Sequence, residues 1–143
     1  MIDYQKYLNK NMVNVLKDIL LHIKNIGLSN NSHLYITFQT NHKSVEIPKW
    51  LFDKYPNEMT IVIQYEFYNL IVNENFFQID LSFNNIQTNL KIGYEAIISF
   101  ADPSANFGLI LKKTKKENFE RKIKKNMSQD DDNIINFNEF KKN

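Results

Sequence analysis

Two periods of hydrophobic alternation divide the chain. Over residues 3–26, Tyr4, Leu8, Met12, Val15, Leu16, Ile19, Leu20, Ile23 and Ile26 recur at intervals of three and four, the repeat of an amphipathic helix. Asp3 is placed to cap the first turn with its carboxylate, and Gly27 to end the helix in the left-handed conformation. From residue 33 the period becomes two. In HLYITFQT, Leu34, Ile36 and Phe38 face one way and Tyr35, Thr37 and Gln39 the other, which predicts a strand covered on one side. NHKS turns the chain, residues 45–47 predict a second short strand, and Pro48 stops it because proline brings no amide hydrogen to a ladder. KWLFDKYP reads as a helical turn or loop.

MTIVIQYEFYNLIV, residues 59–72, alternates Ile61, Ile63, Tyr65 and Phe67 against Thr60, Val62, Gln64 and Glu66, and then meets NEN. FFQIDLSF follows with Phe77, Ile79, Leu81 and Phe83 on one face, so the pair predicts a hairpin. Asn84 and Asn85 supply the next turn, since asparagine tolerates positive φ. IQTNLKI, EAIISFA and, after the loop DPSAN, FGLILKK are further strand candidates. One helix followed by six or seven short antiparallel strands predicts a mainly β fold, a small barrel or sandwich. The alternation stops near residue 112, and SQDDDN has the composition of a solvated linker. The expected organisation is a domain over 1–111, a charged flexible linker over 112–133 and a terminal segment over 134–143.

Charge sharpens that division. Residues 1–111 carry eight Lys against ten Asp or Glu, whereas KKTKKENFERKIKK, residues 112–125, carries eight bases against two acids, so the basic character belongs to one segment. Behind it, Ile134, Ile135, Phe137 and Phe140 crowd large apolar groups into the last ten residues, followed by Lys141 and Lys142, where no core lies within reach. Such a cluster is seldom left without a surface to dock on. The chain has no apolar run of membrane-spanning length, and MIDYQKYLNK lacks the apolar core and cleavage site of a signal peptide, so a soluble cytoplasmic protein is expected.

Chemistry is sparsely signalled. Zero cysteines remove disulfides, thiolate zinc sites and a cysteine nucleophile. His22, His33 and His42 have no metal-site spacing and read as surface or interface residues, so neither a metal nor a cofactor is expected. With glycine only at 27, 93 and 108, a glycine-rich phosphate loop is impossible, and no GxSxG or HExxH occurs. Glu66 and Asp80 could meet across the hairpin, but exposed cross-strand charges are far commoner than catalytic dyads, so an enzyme is not expected. The basic run with Phe119 could track phosphates and stack on a base, which leaves nucleic-acid binding as the alternative reading.

LYITFQTNHKSVEIPKWLFDKYPNEMTIVIQYEFYNLIV and FADPSANFGLIL resemble the alphaproteobacterial branch of the SspB family, adaptors that deliver ssrA-tagged proteins to the ClpXP protease. The likeness covers nearly all of residues 3–111 and returns in the tail. It implies a non-enzymatic adaptor: a homodimer joined through the N-terminal helices, a β fold with a peptide groove, and a tail that docks on ClpX. The docking residues would be Ile134, Ile135, Phe137, Phe140, Lys141 and Lys142, with Phe137 standing where the family has leucine and Asn138 where it has aspartate. The breadth of the helix's apolar arc suits a two-fold interface, assigned to Leu8, Met12, Val15, Leu16 and Ile19.

For the peptide, TIVIQYEF and SFADPSANF are the expected walls. Gln64 interrupts an apolar run and its amide can both donate to and accept from a peptide backbone, beside Ile63. Phe100, Ala101, Asp102 and Phe107 are expected to line the pocket, small Ala101 permitting close approach, while Phe100 and Phe107 read equally well as core.

Overall fold

The computed structural model describes residues 1–29, 31–64 and 66–112. The first of these runs holds the helix the spacing predicts, α1, Tyr4–Ile26. The Asp3 carboxylate accepts from the Lys6 amide at 3.2 Å, filling one of the donors that a helix start leaves open. At the other end the Gly27 amide returns to the Ile23 carbonyl. Gly27 has φ +93° with ψ −178°, so the residue uses glycine's freedom at positive φ but in an extended form, not the left-handed helical one expected. Met12, Leu16, Leu20 and Ile23 form the buried stripe of α1.

Eight strands follow among the described residues: β1 Leu34–Gln39, β2 Val45–Glu46, β3 Glu58–Ile63, β4 Tyr68–Val72, β5 Phe76–Phe83, β6 Ile86–Gly93, β7 Ile97–Asp102 and β8 Phe107–Ile110. A six-residue helix, α2 Lys49–Lys54, occupies the KWLFDKYP stretch. The strands form two antiparallel four-stranded sheets, ordered β3-β1-β7-β8 and β2-β6-β5-β4. These are called sheets A and B here. Among the described residues the sheets are not closed into a barrel, so of the two expected architectures the sandwich is the one adopted.

Residues 59–72 are not one strand, contrary to the sequence expectation. Met59, Ile61 and Ile63 are buried in β3, and in β4 the buried residue is Leu70, so the inward phase changes from odd to even positions. A strand cannot change phase without a break. Here the chain leaves sheet A after Ile63 and joins sheet B at Tyr68. Glu66 precedes β4, and the residue opposite Asp80 is Tyr68. The phase change at Leu70 was present in the sequence and also explains the extra strand.

The core lies between the inward faces. Leu34, Ile36, Phe38, Met59, Ile61, Ile63 and Phe100 from sheet A meet Leu70, Phe77, Ile79, Leu81, Leu90 and Ile92 from sheet B, and the α1 stripe joins the same cluster. Tyr94, in the 3-10 turn Tyr94–Ala96 that carries the chain from β6 to β7, stacks on Phe77 with ring centroids 6.1 Å apart. Its hydroxyl donates to the Asn73 carbonyl at 2.9 Å, and burial pushes the phenol up to about 12. The turn between β5 and β6 places both Asn84 and Asn85 at positive φ, as their side chains predict.

Candidate functional site

The predicted peptide residues gather at one end of sheet A but divide between its faces. In β1 the inward residues are 34, 36 and 38, so Tyr35, Thr37 and Gln39 point outward, and the registers Tyr35↔Val62 and Tyr35↔Ala101 put Val62 and Ala101 on that outer face. Gln64 follows Ile63 in the outward phase and is exposed. Ile63 and Phe100 point the other way and are fully buried, so they shape the sheet from beneath and offer no surface to a peptide. Phe107 lies opposite Asp102 with its ring 6.0 Å from that of Phe100, and is 36% exposed at the rim of the sandwich.

Expected walls TIVIQYEF and SFADPSANF therefore do not touch. β1 runs between them, so Gln64 and Ala101 are separated by two strand spacings, about 10 Å. Tyr35, on that intervening strand, is half-buried and forms the middle of the face. Tyr35, Val62 and His33, which continues the outward phase of β1 next to Gln64, are not among the residues the sequence assigns to the peptide site. Their alternation was legible; that β1 would lie between the two walls was not, because strand order is a long-range property.

Asp102 has a structural role. Its carboxylate accepts from the Ser104 amide at 3.1 Å and the Ser104 hydroxyl at 2.6 Å, capping the 3-10 turn Pro103–Ala105. Asn106 then takes the left-handed conformation, φ 52° and ψ 40°, and returns the chain as β8. The DPSAN loop is thus fixed by its own side chains. The result is an open surface with an apolar and small floor of Val62, Tyr35 and Ala101, with Gln64 on one flank and Gly108 on the other.

The opposite end of sheet A carries the exit of the tail. Leu111 is buried and its amide donates to the Ile98 carbonyl at 2.7 Å; the Lys112 amide reaches the same oxygen at 3.2 Å. Lys112 Nζ donates to Gln39 Oε1 at 2.9 Å, and desolvation lowers its pKa against the opposing effect of Glu95. Residues Ile134, Ile135, Phe137, Phe140, Lys141 and Lys142 lie outside the described residues, as does the basic run beyond Lys112.

Along α1 the expected interface residues separate into two sets. Met12 and Leu16 belong to the chain's own core, and Ile19 packs partly against it. Leu8 and Val15 are 54% and 39% exposed, and Tyr4 and Ile26 extend the same exposed stripe. Among the described residues no helix is long and apolar enough to cross a membrane.

A family model described as SspB, stringent starvation protein B, matches residues 6–142. The chain belongs to the SspB family. A search of curated proteins finds no match. The SspB match begins in the first turn of α1, covers both sheets, and continues through the basic run to the penultimate residue. Sandwich and tail are therefore parts of one family pattern, and the terminal apolar cluster is not an appendage foreign to it.

Proposed function

We propose that this SspB-family chain is a cytoplasmic protease adaptor that binds ssrA-type degradation tags and tethers tagged proteins to the ClpX unfoldase of ClpXP. The observation that carries the reading is the family match across both the sandwich and the tail, residues 6–142, beside an open outer face on sheet A. An adaptor of this kind needs no reacting group. It needs a surface that takes an extended peptide and a second segment that reaches another protein.

On this reading Gln64, Ala101 and Phe107 contact the tag, Asp102 holds the loop beside it, and residues 134–143 form the docking segment. The exposed α1 stripe of Tyr4, Leu8, Val15 and Ile26 is the two-fold interface of a homodimer. A tether of about 20 residues behaving as a flexible chain has a root-mean-square span of roughly 25 Å, which gives an effective concentration near the millimolar scale. A weak docking contact then suffices, and each contact releases easily.

Fluorescence anisotropy of a labelled ssrA-type peptide tests the reading. Gln64→Ala should weaken binding about three- to tenfold, the usual worth of one hydrogen bond, with little change between two salt concentrations. Removing residues 134–143 should leave peptide binding intact and abolish accelerated degradation of a tagged substrate by ClpXP. Full-strength delivery by the truncated chain would overturn the assignment of the tail. Affinity for an oligonucleotide that falls steeply with log salt, in place of peptide binding, would favour the nucleic-acid alternative.

A further inference from the structure

The basic run of residues 112–125 carries eight bases against two acids, and the adaptor reading uses only its length. Its first base is nevertheless placed. Gln39 belongs to the outward set of β1, and Lys112 Nζ reaches it at 2.9 Å, so the Lys112 side chain passes from the β8 side of β7 to β1 and lies on the outer face of sheet A. The strands of that sheet bear Glu58 in β3 and Asp102 at the end of β7, and neither Lys nor Arg. Glu66 follows β3, and Glu95, just before β7, acts on Lys112 by its charge. The eight lysines of residues 1–111 lie elsewhere, in α1, in the turn after β1, in α2 and on sheet B.

Between its acids the face is uncharged. Thr37 and Thr60, their hydroxyl oxygens 2.7 Å apart, give way along the strands to the floor of Val62, Tyr35 and Ala101. The run matches this surface in sign and in chemistry, since Phe119 and Ile123 stand four apart among its bases as an apolar pair for an apolar floor. Reach is ample. Residues 113–118 extend at most about 20 Å, more than the roughly 13 Å from Ile98 to Asp102.

We propose that residues 113–125 lie back over the outer face of sheet A, bases beside its acids and Phe119 on its floor, as an internal competitor that the cargo must displace. This rests on the adaptor reading above and adds a regulation of the same face. Exposed Lys–carboxylate pairs are individually weak, but the run is tethered beside its site, where its effective concentration is near the millimolar scale, so it covers the face part of the time. Apparent tag affinity falls by the fraction of chains left uncovered. While the run is down, the free tether is residues 126–133, with a root-mean-square span of about 15 Å; cargo lifts the run and extends the span to about 25 Å. Occupancy of the face and reach of the docking segment are thereby linked, each biasing the other by the same factor.

The chain has no cysteine, so Asn118→Cys carries a single spin label on the full-length protein. In about 0.1 M salt the label should broaden the amide resonances of Thr37 and Ser99, on sheet A, more strongly than those of Gln78 and Asn89, on sheet B. Raising salt to about 1 M, which cuts the screening length from about 10 Å to about 3 Å, should remove the difference, and so should an ssrA-type peptide. With the seven bases of residues 113–125 replaced by glutamine in the full-length chain, peptide affinity read by anisotropy should rise about two- to tenfold at the lower salt and match wild type at the higher. Equal broadening of both sheets, or broadening that a bound peptide leaves unchanged, would overturn the proposal and leave the adaptor reading standing. A wild type that binds no peptide would overturn the adaptor reading and the competition with it. Weaker peptide binding by the glutamine variant would show the run holding cargo, and broadening of an unlabelled, isotope-enriched chain by a labelled one would place the run on a second copy; either result refutes the proposal.

Discussion

Gly93 sits at the end of β6, hard against Ser44. A Cβ built on it would lie 2.2 Å from Ser44 Oγ, 2.3 Å from Ser44 Cβ and 3.2 Å from the Ser44 carbonyl oxygen. Rotating the serine hydroxyl relieves only the first of these contacts, because Cβ moves with the backbone. The backbone cannot yield freely, since the Gly93 amide donates to the Ser44 carbonyl at 3.1 Å and the Ser44 hydroxyl is held 2.7 Å from His42 Nδ1. Gly93→Ala therefore forces the start of β2 away from β6 by about 1 Å, an overpacking that costs about 1–3 kcal/mol. In a domain of this size that lowers the melting temperature by about 4–15 °C, measured by circular dichroism or calorimetry. Ser44→Gly in the same chain removes both side-chain contacts and leaves the 3.2 Å approach to the carbonyl, so the double variant should recover part of the loss. The coupling in that double-mutant cycle is the decisive quantity. A Gly93→Ala protein that melts within about 1 °C of wild type, or a double variant less stable than Gly93→Ala alone, would refute the steric reasoning. Tag affinity should not move in either case, because the strain lies in sheet B.

Three further outcomes are expected. The Asn69 amide at 2.6 Å, and then that of Asn89 at 2.7 Å, hold the Asp80 carboxyl below its ordinary range, so its contribution to stability is present above the unfolded pKa and is lost as pH falls through the lower folded one. Asp80→Asn should be slightly less stable than wild type at neutral pH, with the gap closing in acid; an unchanging gap between pH 7 and 2 would contradict this. Tyr94 shifts the other way: with the folded phenol raised to about 12, stability is full below the unfolded pKa near 10 and declines as pH rises from there to 12. Tyr94→Phe should abolish that decline while costing about 0.5–1.5 kcal/mol at neutral pH for the lost hydrogen bond to the carbonyl of exposed Asn73, as denaturant titration at the two pH values would reveal. Finally, Leu8→Glu with Val15→Glu should yield folded monomers in sedimentation, whereas Leu16→Glu should unfold the chain, because Leu16 is 0% exposed.

Local structure was legible wherever one face of an element meets the core. The spacing from Tyr4 to Ile26 specified α1 to its ends, Leu34, Ile36 and Phe38 fixed the inward face of β1, and Asn84 with Asn85 marked their turn. The assignment of strands to sheets is not legible in the local pattern. Ile63 and Leu70 belong to strands of different sheets although seven residues apart, because the phase change between them was smoothed into one long alternation. The candidate site suffered for the same reason. Gln64 and Ala101 belong to the two stretches expected to wall one peptide pocket, and β1 with Tyr35 lies between them. Met12 and Leu16 show a related limit: one helix carries two apolar stripes, and only packing reveals which of them the chain consumes itself.

Sheet A places two groups of residues at opposite ends. At one end Leu111 and Lys112 are fastened to Ile98 and Gln39, and at the other lie Gln64, Ala101 and Gly108. From Ile98 to Asp102 the separation along β7 is roughly 13 Å. In the adaptor proposed, the leash is thus anchored at one pole and the freight rides at the other. An unfolding motor could strip the freight away without hauling the leash through the port, leaving the carrier intact for its next load.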